Sequence, residues 1–336
     1  MRRNATIAIA AAALPLLVLA ACGDDDGSAS ASGGRPQVVV TTNVLGDVVS
    51  DLVGGQADVE VIMPPGSTPH EFQASARQAA AMRDADVLIT NGAGFEEGLH
   101  DAIEAAEQDG VPTFAAIDAV GTLQLDESVE EAAHASEGEE DEHAGEGEGA
   151  EEDEHAEGTD PHFFTDPARV ATAAQAIADF LVDEVPALDT DAFAGQVETT
   201  VEGLHSLDGE VEDVLAAVPA ERRTLVTNHE ALGYFAERYG FEVVGAVIPG
   251  GSTQAEPSAA ELDELAHTIE ERGVPAIFAD TSSPTRLADA LANEVGDVEV
   301  VALFTESLGD EGSGADSYAG MMRTDAERIA DALAPS

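Results

Sequence analysis

The 336-residue chain has no lysine, no tryptophan and one cysteine, and aromatic residues make up only 4% of it. All 13 basic residues are arginine, set against 68 Asp and Glu, which leaves a formal charge of −55. Phosphate backbones bind where clustered Lys and Arg displace counterions, so a field this negative argues against any nucleic-acid partner. It attracts cations, but an acidic surface also serves solubility, and charge alone identifies no function. A single cysteine permits no intrachain disulfide. With so few aromatics, Ala, Val, Leu and Gly must fill the interior. An apolar share of 44% is enough for one large core or two medium ones. Beyond the N-terminal segment no run is apolar enough to span a bilayer.

The N-terminus reads "MRRNATIAIAAAALPLLVLAAC". Two arginines precede an apolar run too short to cross a membrane comfortably, and Leu19-Ala20-Ala21-Cys22 follows. This resembles a bacterial lipobox, in which the cysteine becomes the lipidated first residue of the mature chain. The resemblance implies a signal peptide over residues 1–21 and a membrane anchor through Cys22. A flexible Gly/Asp/Ser linker would then run over residues 22–36. The expected location is extracytoplasmic, on the outer face of the cell membrane.

From Pro36 onward, short apolar runs alternate with helical patterns. Strands are expected at residues 38–42, 59–63, 86–90 and 113–117, and again at 224–227, 242–247, 276–279 and 298–304. Helices are expected at 45–52, 76–83, 95–107, 167–181, 231–239, 259–272, 285–294 and 318–333. Ser75 with Gln78 and Ser258 with Glu261 have capping-box spacing, and Asp166-Pro167 and Ser283-Pro284 read as N-cap followed by proline at N1. Alternating strands and helices predict an α/β fold with two lobes, each built on a mostly parallel four-stranded sheet. The N-terminal lobe spans 37–188 and the C-terminal lobe 219–336. Between them, over 189–218, Phe193, Val197, Val201, Leu204, Leu207, Val211 and Leu215 recur at spacings of three and four. They predict one long amphipathic helix, a stiff connector that leaves the cleft largely preformed. Residues 126–158, rich in Glu and Gly with His134, His143 and His155, have no apolar periodicity and read as a disordered acidic insertion.

Three other histidines sit where the backbone is stiff or a strand has just ended. His70 follows Pro69 in "VIMPPGSTPHEF", beyond the second strand, and His162 follows Pro161 in "TDPHFFTDP". His229 lies in "TLVTNHEALGYF" at a strand-to-helix turn, and Glu306 follows the last strand in "VEVVALFTESLG". Open α/β sheets bind ligands beyond the carboxyl ends of their strands, where His70, His229 and Glu306 fall. His100, His205 and His267 lie within helical patterns and read as surface residues. Three imidazoles and one carboxylate suit a first-row divalent cation. Three nitrogens to one oxygen donor lean toward Zn²⁺, and a bidentate Glu306 would suit Mn²⁺.

Together these motifs, with "TTNVLGDVV", "MPPGSTPHEFQ", "ADVLITNGAGFE", "GSTQAEPSAAEL", "IFADTSSP" and "DSYAGMM", resemble the zinc/manganese-type solute-binding lipoproteins of bacterial ABC importers, the cluster A-I or zinc-uptake A family. The likeness runs from about residue 38 to 333. It implies two βα lobes joined by a long rigid helix with a metal buried between them. His70, His162 and His229 match the first three ligands of that family. The third is Glu in many manganese-type members and His in many zinc-type ones, which favours Zn²⁺. The fourth is Asp in manganese-type members and falls on Glu306, one methylene longer. The implied role is capture of a divalent metal and its delivery to an ABC permease and its ATPase by a monomeric, lipid-anchored protein that is not an enzyme. The alternatives are the same role for Mn²⁺ and a zinc-dependent hydrolase. Against the hydrolase, no HExxH or comparable base-bearing motif is present.

Overall fold

Runs of Val, Ile and Leu build two four-stranded sheets, each parallel throughout. The computed structural model describes residues 34–125 and 158–335. The expected signal peptide, Cys22 and its linker up to residue 33 lie outside the described residues. So does the acidic insertion from 126 to 157, with His134, His143 and His155. In the first sheet β1 (Gln37–Val40), β2 (Asp58–Val61), β3 (Val87–Thr90) and β4 (Thr113–Ala115) stand in the order β2-β1-β3-β4. In the second, β5 (Thr224–Thr227), β6 (Glu242–Ala246), β7 (Ala276–Asp280) and β8 (Glu299–Leu303) stand in the order β6-β5-β7-β8. Both therefore have the α/β arrangement anticipated from sequence.

The helices are α1 (Asn43–Val53), α2 (Ala76–Arg83), α3 (His100–Gln108), α4 (Pro167–Glu184), α5 (Asp191–Leu215), α6 (Gly233–Tyr239), α7 (Ala259–Arg272), α8 (Arg286–Val295) and α9 (Tyr318–Leu333). Ser75–Gln78 and Ser258–Glu261 form capping boxes, and Asp166 caps α4 with Pro167 at its first position. No helix among the described residues is long and apolar enough to cross a membrane.

Alternation along each strand divides the interior. Val38, Val40, Val87 and Ile89 face inward and share one continuous core with Leu225, Phe278 and Leu303 of the second sheet, through α1, α4, α5 and α9. Val39 and Leu88 face outward onto Met82, Leu99 and Ala106 of the α2–α3 side. Val226, Ile277 and Ala279 face outward onto Leu265, Ile269 and Leu291 of α7 and α8. The 25-residue α5, about 37 Å long at ~1.5 Å per residue, packs on α1, α4 and α9 and so runs through the shared inner core.

Four expected helix starts differ from those observed. The first helix begins at Asn43 and not at 45, because the Thr42 hydroxyl accepts from Leu45 N and caps it there. The helix expected from residue 95 begins at His100, because Glu96 turns inward and accepts hydrogen bonds from Asn91 N, Gly92 N and Thr41 Oγ1. Ser283-Pro284 does not start α8, which begins at Arg286. Asp280 accepts from Ser282 N and Oγ and makes the turn that carries the chain past Pro284. The helix expected from 231 begins at Gly233, leaving His229 on the connecting loop.

Candidate metal centre

The chain reaches the site four times. It leaves β2 through Pro64 and Pro65, and the backbone of Glu71 and Phe72 turns back onto the Thr68 carbonyl, which fixes His70 behind Pro69. His162 follows Pro161 and enters a 3₁₀ turn that ends at the Asp166 cap of α4. His229 leaves β5, where Asn228 N still bonds the Phe278 carbonyl of β7. Glu306 follows β8, with Thr305 held from the end of β7: Asp280 Oδ2 accepts from Thr305 N at 3.0 Å and from its hydroxyl at 2.6 Å.

These four side chains meet. One potential ligand atom from each of His70, His162, His229 and Glu306 lies within 4.8 Å of every other. All four residues are at most 3% exposed. Glu306 Oε1 lies 2.8 Å from His70 Nε2, 2.9 Å from His229 Nε2 and 3.7 Å from His162 Nε2. The close approaches lack hydrogen-bond geometry, so the three Nε2 atoms and both Glu306 oxygens are buried without a hydrogen-bond partner. Buried polar atoms left unpaired are costly and rare. Five of them around one point, three imidazole nitrogens and two carboxylate oxygens, form a donor set suited to a borderline divalent cation.

Two of the imidazoles are oriented from behind. His162 Nδ1 lies 2.8 Å from Asp160 Oδ1, and that oxygen also accepts from the His162 backbone N–H. His70 Nδ1 lies 3.2 Å from Glu97 Oε1. A carboxylate behind Nδ1 favours the tautomer protonated there and presents Nε2 as a free lone pair. Glu97 reaches His70 because the β3 exit loop turns sharply. Gly92 has φ +88°, and a Cβ on it would lie 2.9 Å from Ile117 Cγ2, while a Cβ on Gly98 would lie 2.1 Å from the Phe72 carbonyl oxygen. The same loop lays Phe95 edge-on against His70 and His162, with ring centroids 5.3 and 5.5 Å away.

The electrostatics follow from this crowding. Burial opposes a charge on His162, but Asp160 and Glu306 outweigh it and raise its pKa to about 9. Burial likewise penalises the Glu306 carboxylate, yet the three imidazoles hold its pKa well below the ordinary value. The three imidazoles thus keep Glu306 ionised.

All four converging side chains stand where the stiff loops and strand ends of the sequence point. His100, His205 and His267 are exposed on helices, as expected, and Cys22 is outside the described residues. Sequence reasoning did not single out Glu97, Asp160 or Phe95. Asp160 could have been found from its place two residues before a histidine, where a carboxylate can fold back onto Nδ1. Glu97 carries no such local signal.

The model of the family described as "Zinc-uptake complex component A periplasmic" matches residues 38–332. Among individual proteins, the chain is 30% identical over 306 residues to the zinc-binding protein TroA of Treponema pallidum, covering 90% of each. It is 28% identical over 298 residues to the manganese-binding lipoprotein MntA of Halalkalibacterium halodurans, covering 88% of each. In three dimensions it is similar to the periplasmic zinc-binding protein TroA of Treponema pallidum, with a TM-score of 0.76 and 28% identity over 90% of this chain and 100% of that one.

Proposed function

The chain belongs to the zinc-uptake complex component A family, and from that membership we propose that it is the extracytoplasmic substrate-binding protein of an ABC importer for a divalent transition metal, Zn²⁺ above all. The observation that carries this reading is the set of buried, unpartnered atoms of His70, His162, His229 and Glu306 facing one another. We assign these four side chains as the ligands of the transported ion. The protein captures the ion outside the cytoplasm and hands it to a membrane permease driven by an ATPase. Cys22 tethers it to the membrane by a lipid, and it acts as a monomer.

Three nitrogens against one carboxylate favour Zn²⁺. Manganese is the second reading, and a specific feature supports it: both Glu306 oxygens are free of hydrogen bonds, so bidentate contact is open to them. The hydrolase alternative is weaker. Glu306 lies within 3 Å of two imidazole nitrogens and so belongs to the donor set rather than standing apart from it as a base.

Elemental analysis of purified, lipid-free protein, followed by competition between Zn²⁺ and Mn²⁺ in calorimetry, tests the assignment. The expected result is one ion per chain, zinc preferred, with affinity falling as pH drops from about 9, where His162 takes up its proton, because protons compete for the ligands. Absence of stoichiometric metal binding at neutral pH would refute it. Tighter binding of manganese would refute the choice of zinc.

A further inference from the structure

Asn43 is the first residue of α1, directly after the exit of β1, and its side chain is buried. It lies far from Glu306 in sequence but bonds the chain just beyond it. Asn43 Oδ1 accepts from Leu308 N at 2.7 Å, and Asn43 Nδ2 donates to Ser307 Oγ at 3.0 Å. The same Nδ2 donates to the Pro64 carbonyl at 3.1 Å, with the Met63 carbonyl at 3.4 Å. Ser307 Oγ also accepts from Gly66 N at 2.7 Å. One carboxamide therefore joins the start of the loop that carries His70 to the two residues after Glu306.

We propose that Asn43 is a positioning residue for Glu306: it sets the carboxylate at the depth where it meets the three imidazoles, and it ties that placement to the His70 loop. The backbone around Glu306 is held on both sides. Thr305 is fixed by Asp280 from the second sheet's own edge, and Ser307 and Leu308 are fixed by Asn43 from the first. Without Asn43, the Leu308 N–H would lose its acceptor and only Gly66 N, which reaches Ser307 Oγ at 2.7 Å and the Leu308 carbonyl at 3.2 Å, would tie the peptide after Glu306 to the His70 loop, so the longer acidic side chain would lose its aim. An aspartate cannot replace Asn43, because it has no donor for the Pro64 carbonyl and Ser307 Oγ. The role belongs to a side chain that touches no ligand atom and acts on the ion only through Glu306.

This inference rests on the reading of the four side chains as a metal site, and the test separates the two. Zn²⁺ affinity is measured by competition with a chelator for the wild type, Asn43→Ser, Glu306→Ala and the double variant, after a thermal melt has shown each to be folded. Ser307→Ala is the milder substitute if Asn43→Ser does not fold. The expected loss for Asn43→Ser is about 10–100-fold, the range typical of outer partners of a metal site. In the Glu306→Ala background the same substitution should change affinity less than about twofold, because coupled positions are non-additive. Amide hydrogen exchange at Leu308, measured without metal, should also accelerate in Asn43→Ser. Equal losses in both backgrounds would mean that Asn43 only holds the lobes together, and would overturn the proposal. No loss beside intact Glu306 would overturn it too. A wild type that binds no zinc would remove the site reading itself, and this inference with it.

Discussion

His70 and His162 each have a carboxylate behind the ring, Glu97 at 3.2 Å and Asp160 at 2.8 Å, and both carboxylates come from the same side of the molecule as the histidines they orient. Glu306 is held differently. It has no partner of its own beyond the imidazoles, and its neighbours are gripped by Asp280 within the second lobe and by Asn43 from the first. The first half thus supplies the carboxylates behind its own imidazoles, although Gln254 of the second reaches across to Glu97 and the His70 carbonyl, whereas Glu306 has no carboxamide or carboxylate behind it and depends on its neighbours' ties to both sheets. Losing the ion should therefore begin with the Glu306 side, while the two braced imidazoles keep their aim.

The sharpest way to break this contrast is to remove a donor from the second half. His229→Ala should weaken Zn²⁺ binding by more than the roughly 10–100-fold that loss of an outer partner costs, read by chelator competition. Unchanged affinity would remove His229 from the site. Next in size is a stability effect beneath Glu306. Burial pushes Asp325 of α9 up to about 7, although the hydrogen bond from Phe304 N and the nearby Arg328 both favour its charge. A carboxyl raised from 3.8 favours folding while protonated, so its contribution is full below pH 3.8 and lost as pH rises through about 7. Each pH unit of that interval is worth about 1.4 kcal/mol, so the cost approaches roughly 4 kcal/mol above pH 7. Asp325→Asn keeps an acceptor for Phe304 N and should raise the melting temperature at pH 8 far more than at pH 4. An equal rise at both would refute the assignment.

The first half offers two smaller tests. Asp160→Asn should weaken zinc binding by about 10-fold or more, because the buried carboxylate fixes the His162 tautomer. Glu97→Gln should cost only a few-fold, since Glu97 is 38% exposed and lies farther from its ring. The reverse order, read in the same competition assay, would show that His70 and not His162 is the better-braced imidazole.

Much of this was legible in the sequence because the signals were local. Val38–Val40 and Val87–Ile89 read as strands because both faces of a central parallel strand are buried. Pro69 and Pro161 marked stiff backbone, and positions beyond strand ends pointed to His229 and Glu306. The failures were tertiary. Ser283 looked like a helix cap because nothing in its neighbourhood reveals that Asp280 will claim the turn before it. Glu97 and His70 are 27 residues apart and meet only because the Gly98 turn passes under the Phe72 carbonyl. Two sets of four strands suggested two lobes and left open whether they hold one core or two, and period-two alternation cannot reveal that the inward faces of both sheets share one interior around α5.

That fusion governs how the polypeptide can be divided. Cutting the gene within α5 would strand half of a greasy surface on each fragment, so neither piece expressed by itself should remain soluble and native. Heating the intact protein should melt both sheets together, in a single calorimetric peak.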